Sequence, residues 1–206
     1  MWGLVESGSI TKLINNPKGL VIGDVRYSRK IFELWSKSEL EAKGIYEVEF
    51  NNSNRKDDRW YINTNQSFAF AGGKITASYG TATAKAHADT LWTSQDKTDG
   101  LIPDGKDVGD VKVEGLKTVL IRNVKAQAAQ ILQDTDWYIV RKADAGTAVP
   151  SAITTHRAAV RTKAAEMETA ITNASDTPAL ETLHTYTEQE DKSVTRPLGE
   201  LPRLES

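Results

Sequence analysis

The sequence predicts an α+β protein, with an N-terminal antiparallel β-rich domain over residues 1–84 followed by a C-terminal helical hairpin or bundle over residues 115–206. Three observations carry this. The first half is rich in short β-branched and aromatic runs broken by glycine-containing turns, a strand signature. After Gly115 the apolar residues switch to helical spacing, which is the primary helix signal. Between the halves, residues 85–114 are dominated by Asp, Gly, Lys and Thr, which reads as a linker or long surface loop.

The strands come in order. Leu4-Val5 and residues 10–14 flank Ser7-Gly8, a hairpin turn, and Asn15-Asn16-Pro17 closes the pair. Residues 20–22 and 25–35 form a second extended set around Gly23-Asp24. A short helix interrupts, because Ser36 and Glu39 have the spacing at which each side chain satisfies the other's backbone amide. Gly44 is placed to end that helix in the left-handed conformation. Strands resume at 45–50, 60–63, 66–71 and 74–79, giving an antiparallel unit of about six strands.

In the second half Leu116, Val119, Leu120, Val124, Ala128, Ile131 and Leu132 fall on one helical face. A second helix starts at the corner, where Asp134, Thr135 or Asp136 can cap it, and stops near Gly146. Pro150 opens a third helix carrying Ile153, Val160, Ala164, Met167 and Ile171 on one stripe to about residue 174, a length of about 35 Å at 1.5 Å per residue. A short last helix runs from Asp176-Thr177-Pro178 to His184, and the tail with Pro197 and Pro202 reads as an extended peptide laid on a surface.

Composition excludes several classes of function. With no cysteine there is no thiolate metal cluster, disulfide framework or cysteine nucleophile. The histidines, at 87, 156 and 184, lack the three- or four-residue spacing of a helical metal pair. Asp104-Gly105-Lys106-Asp107 breaks the alternating acid pattern of a calcium loop. No nucleophile elbow, phosphate-binding loop or dinucleotide fingerprint occurs. A net charge of -2 gives no footprint for nucleic acid, and no run approaches the roughly 20 apolar residues of a membrane span. The expectation is a protein that is not an enzyme, uses no cofactor or metal, and binds neither nucleic acid nor membrane.

What remains is surface. Arg141, Lys142, Arg157, Arg161 and Lys163 cluster along two helices, and a solvated face with acids nearby, such as Glu166 beside Lys163, accounts for them. Trp137 reads as a core residue between the helices it joins, which leaves the exposed flank of the long helix around Arg157 and Arg161, and the whole β half, as the contact candidates. The partner-interface candidates are Trp137, Tyr138, Arg141, Arg157 and Arg161.

One resemblance bears on this. The run Ile131-Leu132-Gln133-Asp134-Thr135-Asp136-Trp137-Tyr138, then Arg141, Gly146, Pro150 and His156-Arg157-Ala158-Ala159-Val160-Arg161, resembles the tail assembly chaperone and tail-fibre assembly proteins of tailed bacteriophages. These carry a Leu-Leu-x-x-Thr-Asp-Trp corner, a later Pro and a Tyr-Arg-x-x-x-Arg helix. The likeness covers residues 116–174, roughly a quarter to a third of the chain. His156 stands where the family often has Tyr. In Lys30-Ile31-Phe32-Glu33-Leu34-Trp35, Glu39-Leu40 and Gly44-Ile45-Tyr46, the first half is similar to the β-rich leader of longer phage proteins of this sort, in the style of marine phage tail proteins. The resemblance implies a non-enzymatic tail protein that binds and positions tail fibres or assists their assembly, with tail fibres or other tail proteins as partners and homo-oligomerisation left open. It would work in the cytoplasm of an infected host or reside in the virion tail. The alternative it leaves is a permanent virion component, such as a fibre adaptor, tail or neck protein.

Overall fold

Two compact units make up the chain in the computed structural model, Met1–Thr83 and Ala84–Ser206, and the structure describes residues 1–204. The fold is α+β, with strands concentrated in the first unit and the long helices in the second.

In the first unit, β1 (Trp2–Glu6) and β2 (Ser9–Ile14) form the expected hairpin. Ser7 and Gly8 both take positive φ, 50° and 79°, the turn whose twist matches that of the flanking strands. β3 (Leu20–Ile22) and β4 (Val25–Tyr27) pair across Gly23-Asp24. The extended set predicted to run to residue 35 ends at Tyr27, and α1 (Ile31–Leu34) replaces its far half. Helical spacing turns Ile31, Phe32 and Trp35 towards the same cluster, where a strand would send Phe32 to the opposite face. α2 (Lys37–Glu41) carries the predicted capping box, with Ser36 and Glu39 exchanging bonds.

The remaining strands are β5 (Ile45–Asn51), β6 (Tyr61–Ile62), β7 (Ser67–Ala71), β8 (Lys74–Ser78) and, where the units meet in sequence, β9 (Thr83–Ala84). The main sheet has the order β2-β1-β5-β8-β7. It departs from the antiparallel expectation at one place, since β5 and β8 run parallel. The connection 52–66 carries the chain past one strand position, so β7 lies at the edge and its hairpin partner β8 fills the gap beside β5. Asn63 pins this connection, accepting from Lys56 N at 2.9 Å and donating to Lys56 O at 2.8 Å.

Each face of the sheet has its own core. On one, Leu4, Ile14, Leu20, Ile31, Leu40 and Ile45 are buried beneath α1, α2 and the β3–β4 hairpin, with Trp2 against Phe32 and Tyr27 edge-on to Trp35. On the other, the sheet curls until edges β2 and β7 approach, enclosing Val48, Ile75 and Ala77 among Tyr46, Phe68 and Phe70.

In the second unit the stretch 85–114, expected as a loop or linker, is built structure. β10 (Thr90–Leu91) pairs with β11 (Val111–Val113), and between them lies α3 (Ser94–Thr98), capped reciprocally by Thr93 and Asp96. Lys112 Nζ lies 2.6 Å from Asp96 and 4.5 Å above the Trp92 ring. The Lys112 contact, then the bonds from Thr93, hold the Asp96 carboxyl at about 2 against an ordinary 3.8. A carboxylate depressed on folding stabilises fully above its unfolded value and loses that contribution as pH falls through the folded one. The segment is therefore expected to loosen between the ordinary 3.8 and about 2, seen as a titration of the Trp92 indole NMR signal that Asp96→Asn abolishes. A Trp92 signal unmoved across that window would refute it.

After α3 come α4 (Leu116–Gln133), α5 (Asp136–Ala145), α6 (Ser151–Asn173) and α7 (Thr177–His184). α4 and α6 pack antiparallel, since Lys117 Nζ reaches Thr172 O at 2.8 Å while Arg157 reaches Leu132 O at the opposite end. Leu120, Val124 and Ala128 face Val160, Ala164, Met167 and Ile171, and burying each large aliphatic contributes about 1.5–3 kcal/mol. Gly115 begins α4 without a side-chain cap of its own. Asp89 supplies it, accepting from Gly115 N and Thr118 Oγ1, both at 2.7 Å. Asp176 caps α7 through Ala179 N at 2.8 Å. The tail is less uniformly extended than expected: β12 (Thr187–Glu188) and β13 (Val194–Thr195) pair as a small hairpin. Beyond them Leu198 is buried, its amide donating to Leu183 O at 3.0 Å.

Candidate functional site

The corner between α4 and α5 is built around one guanidinium. Arg157, on α6, donates from Nη1 to Leu132 O at 2.7 Å and to Thr135 Oγ1 at 2.6 Å, and from Nη2 to Asp136 Oδ1 at 2.7 Å. Thr135 Oγ1 donates in turn to Leu132 O at 3.0 Å. A helix ends with unpaired carbonyls and partial negative charge, so a cation there meets a natural acceptor. Arg157 thus closes α4, fixes the turn and ties the first residue of α5 to α6. Thr135 and Asp136 at the corner and Arg157 on the long helix are one hydrogen-bonded unit.

Two expectations are corrected here. Arg157 is not on an exposed flank; it is 7% exposed. Its spacing carried the sign, because residues 153, 156, 157, 160 and 164 form one buried stripe in the i, i+3, i+4, i+7 pattern of a core face. Trp137 is not packed between the helices; it is 51% exposed. Its ring stacks on Tyr138 at 3.9 Å between centroids, and the Arg141 guanidinium lies over both rings at 4.6 and 5.4 Å. The stack occupies a surface and leaves Arg141 Nε buried without a hydrogen-bond partner. Arg161 is exposed one turn beyond Arg157, so the five candidates divide into a buried bolt, a surface stack and an exposed cation.

Sequence reasoning missed the orientation of α5. None of its ten residues is buried. Tyr138 and Arg141 are half-buried, whereas Ile139 and Val140 are 43% and 65% exposed. The helix turns its polar-tipped residues inward and its aliphatic residues out, the reverse of a surface helix packed on its own core. Ten residues containing adjacent β-branched side chains make a poor isolated helix. α5 is held at its start, through Asp136 to Arg157, and its last turn is closed on itself by Gly146, whose amide donates to Lys142 O at 3.0 Å.

Elsewhere in this unit a shallow cleft of about 730 Å³ lies between α4 and the tail. Its one carboxylate, Glu200, is taken by Tyr186 Oη at 2.6 Å and Arg196 Nε at 2.8 Å. Among the described residues no group of three or more metal-ligating side chains converges, and no helix is long and apolar enough to cross a membrane.

Fold and site define an α+β protein of two compact units whose helical unit presents a short helix with Trp137, Ile139 and Val140 exposed, pinned at its start by a buried arginine. Compared with known proteins, the chain matches no family model, no curated sequence and no solved structure.

Proposed function

We propose that the chain is a non-enzymatic tail protein of a tailed bacteriophage that binds tail fibres and positions them or assists their assembly, with the outer side of α5 as its binding face. The observation that carries this is α5 itself. Trp137, Ile139 and Val140 lie exposed on a single helix, and large apolar side chains turned outward together on one short helix support a partner site. Large aromatics stacked with arginine are also what interface anchors are made of. The phage assignment is supported by the residues of the corner and the long helix, which resemble those of tail-fibre assembly proteins.

The proposed action is transient cover. Apolar surface on a fibre awaiting attachment is shielded by α5 and its aromatic stack, in the cytoplasm of the infected host, with no cofactor. Co-expression with the fibre proteins of the same phage and affinity capture test this. Wild type is expected to retain a fibre or other tail protein, and Val140→Ser to weaken retention about tenfold, as for a buried contact of about 1–2 kcal/mol. Failure to capture any tail component overturns the proposal.

A second reading, a permanent virion component, is favoured by the first unit, whose sheet has a core on each face, more structure than a transient cover needs. Stoichiometric presence in purified particles selects this reading, and absence selects the chaperone.

A further inference from the structure

Taking α5 as the binding face, the geometry points to the chemistry of what it binds: we infer that the partner presents a helix with an aliphatic residue flanked four positions away on each side by Lys or Arg. Side chains four apart stand in one row along a helix. In α5 the row through Val140 reads Asp136, Val140, Asp144, an exposed aliphatic centre with a carboxylate at either end. Asp136 is engaged by Arg157 through Oδ1, but its side chain is 55% exposed and so remains accessible to a partner. Asp144 is exposed and makes no ion pair among the described residues. It lies in the last turn, where the helix dipole opposes a negative charge. Both features of this row that run against stability in the free protein, the outward aliphatic and the acid at the negative end, are relieved by one occupant: a helix offering an apolar centre between two cations.

The same row argues against a second copy. Two α5 helices crossing antiparallel at Val140 would set Asp136 of each against Asp144 of the other, since both are four residues from the centre, and like charges in register repel. A basic-flanked helix reverses that sign at both ends.

Fluorescence anisotropy with two labelled peptides tests this on the intact protein. Both are alanine-based helices of about 20 residues, long enough to be helical; one carries Arg-x-x-x-Leu-x-x-x-Arg and the other Glu-x-x-x-Leu-x-x-x-Glu. The basic peptide is expected to bind about tenfold more tightly, as two exposed ion pairs allow, with the difference shrinking at high salt. Asp144→Lys should erase or invert the preference and Val140→Ser should weaken both peptides, with circular dichroism showing the helices intact. Equal binding of the two peptides, or a preference that survives Asp144→Lys, overturns the inference. If Val140→Ser abolishes fibre capture while the peptides bind equally, the binding face stands and this chemistry falls. If the peptides discriminate but no tail component is captured, the chemistry stands and the fibre assignment falls.

Discussion

Arg157→Ala is expected to destabilise the helical unit by about 3 kcal/mol, the scale for losing the hydrogen bonds of a buried charged donor and leaving its buried acceptors short, which lowers its melting temperature by roughly 10 °C. The guanidinium makes three bonds at 2.6 to 2.7 Å, two of them to uncharged groups at the end of α4. Without it Leu132 O keeps the Thr135 hydroxyl at 3.0 Å, but α5 loses its tie to α6. Arg157→Lys should recover less than half of the loss, because a single ammonium cannot span Leu132, Thr135 and Asp136 together. Denaturant unfolding of the two variants checks both values. A loss below about 1 kcal/mol for Arg157→Ala would mean that the α4–α6 core, not the bolt, fixes the corner. A dependent effect is expected at α5, whose amides should exchange with solvent faster in Arg157→Ala than those of α4 or α6, since nothing buried on α5 itself holds it.

The second large effect is expected at Gly44, where alanine should cost the first unit about 3 kcal/mol, from two sources. Gly44 has φ 74°, and a Cβ there would stand 2.4 Å from Val5 O. The left-handed backbone costs a side chain about 1–2 kcal/mol, and forcing apart packed backbone adds about 1–3 kcal/mol. Gly44 O also accepts from Val5 N at 2.8 Å, so the displaced chain would strain the end of β1. Gly146 supplies the control. It too follows a helix, with φ 67°, but a Cβ there would meet nothing within 4 Å, so Gly146→Ala should cost only about 1 kcal/mol. Equal losses at the two sites would show that conformation alone, and not the approach of Val5, makes Gly44 necessary.

These two glycines mark the boundary between what is local and what is not. Both were legible as helix-ending positions, because a glycine just past an apolar-periodic run answers a local need for positive φ. That Val5 crowds one and open space surrounds the other depends on a strand about forty residues away, which no local pattern records. The Ser36–Glu39 box, the Ser7-Gly8 hairpin and the limits of α6 were legible for the same reason: each is settled within a few residues. The cap on α4 was not, since Asp89 acts across 26 positions. Nor was the parallel pairing of β5 with β8, because strand content is a property of residues while strand order follows the path of the 52–66 connection.

At the candidate site the division is the same. By itself the sequence determined that a helical corner at residues 131–137 leads into a long helix, and which residue types sit there, since hydrophobic period and capping are read along the chain. Only the tertiary structure decided which of those residues are inside. Arg157 lies on the buried stripe because α4 ends opposite it with unpaired carbonyls to receive a cation. Trp137 and Val140 lie outside because α5 is tied to α6 at its start and its inward side is already taken by Tyr138 and Arg141. Periodicity gives a helix one apolar side; packing decides whether that side faces the protein's own core or the space where another molecule can bind.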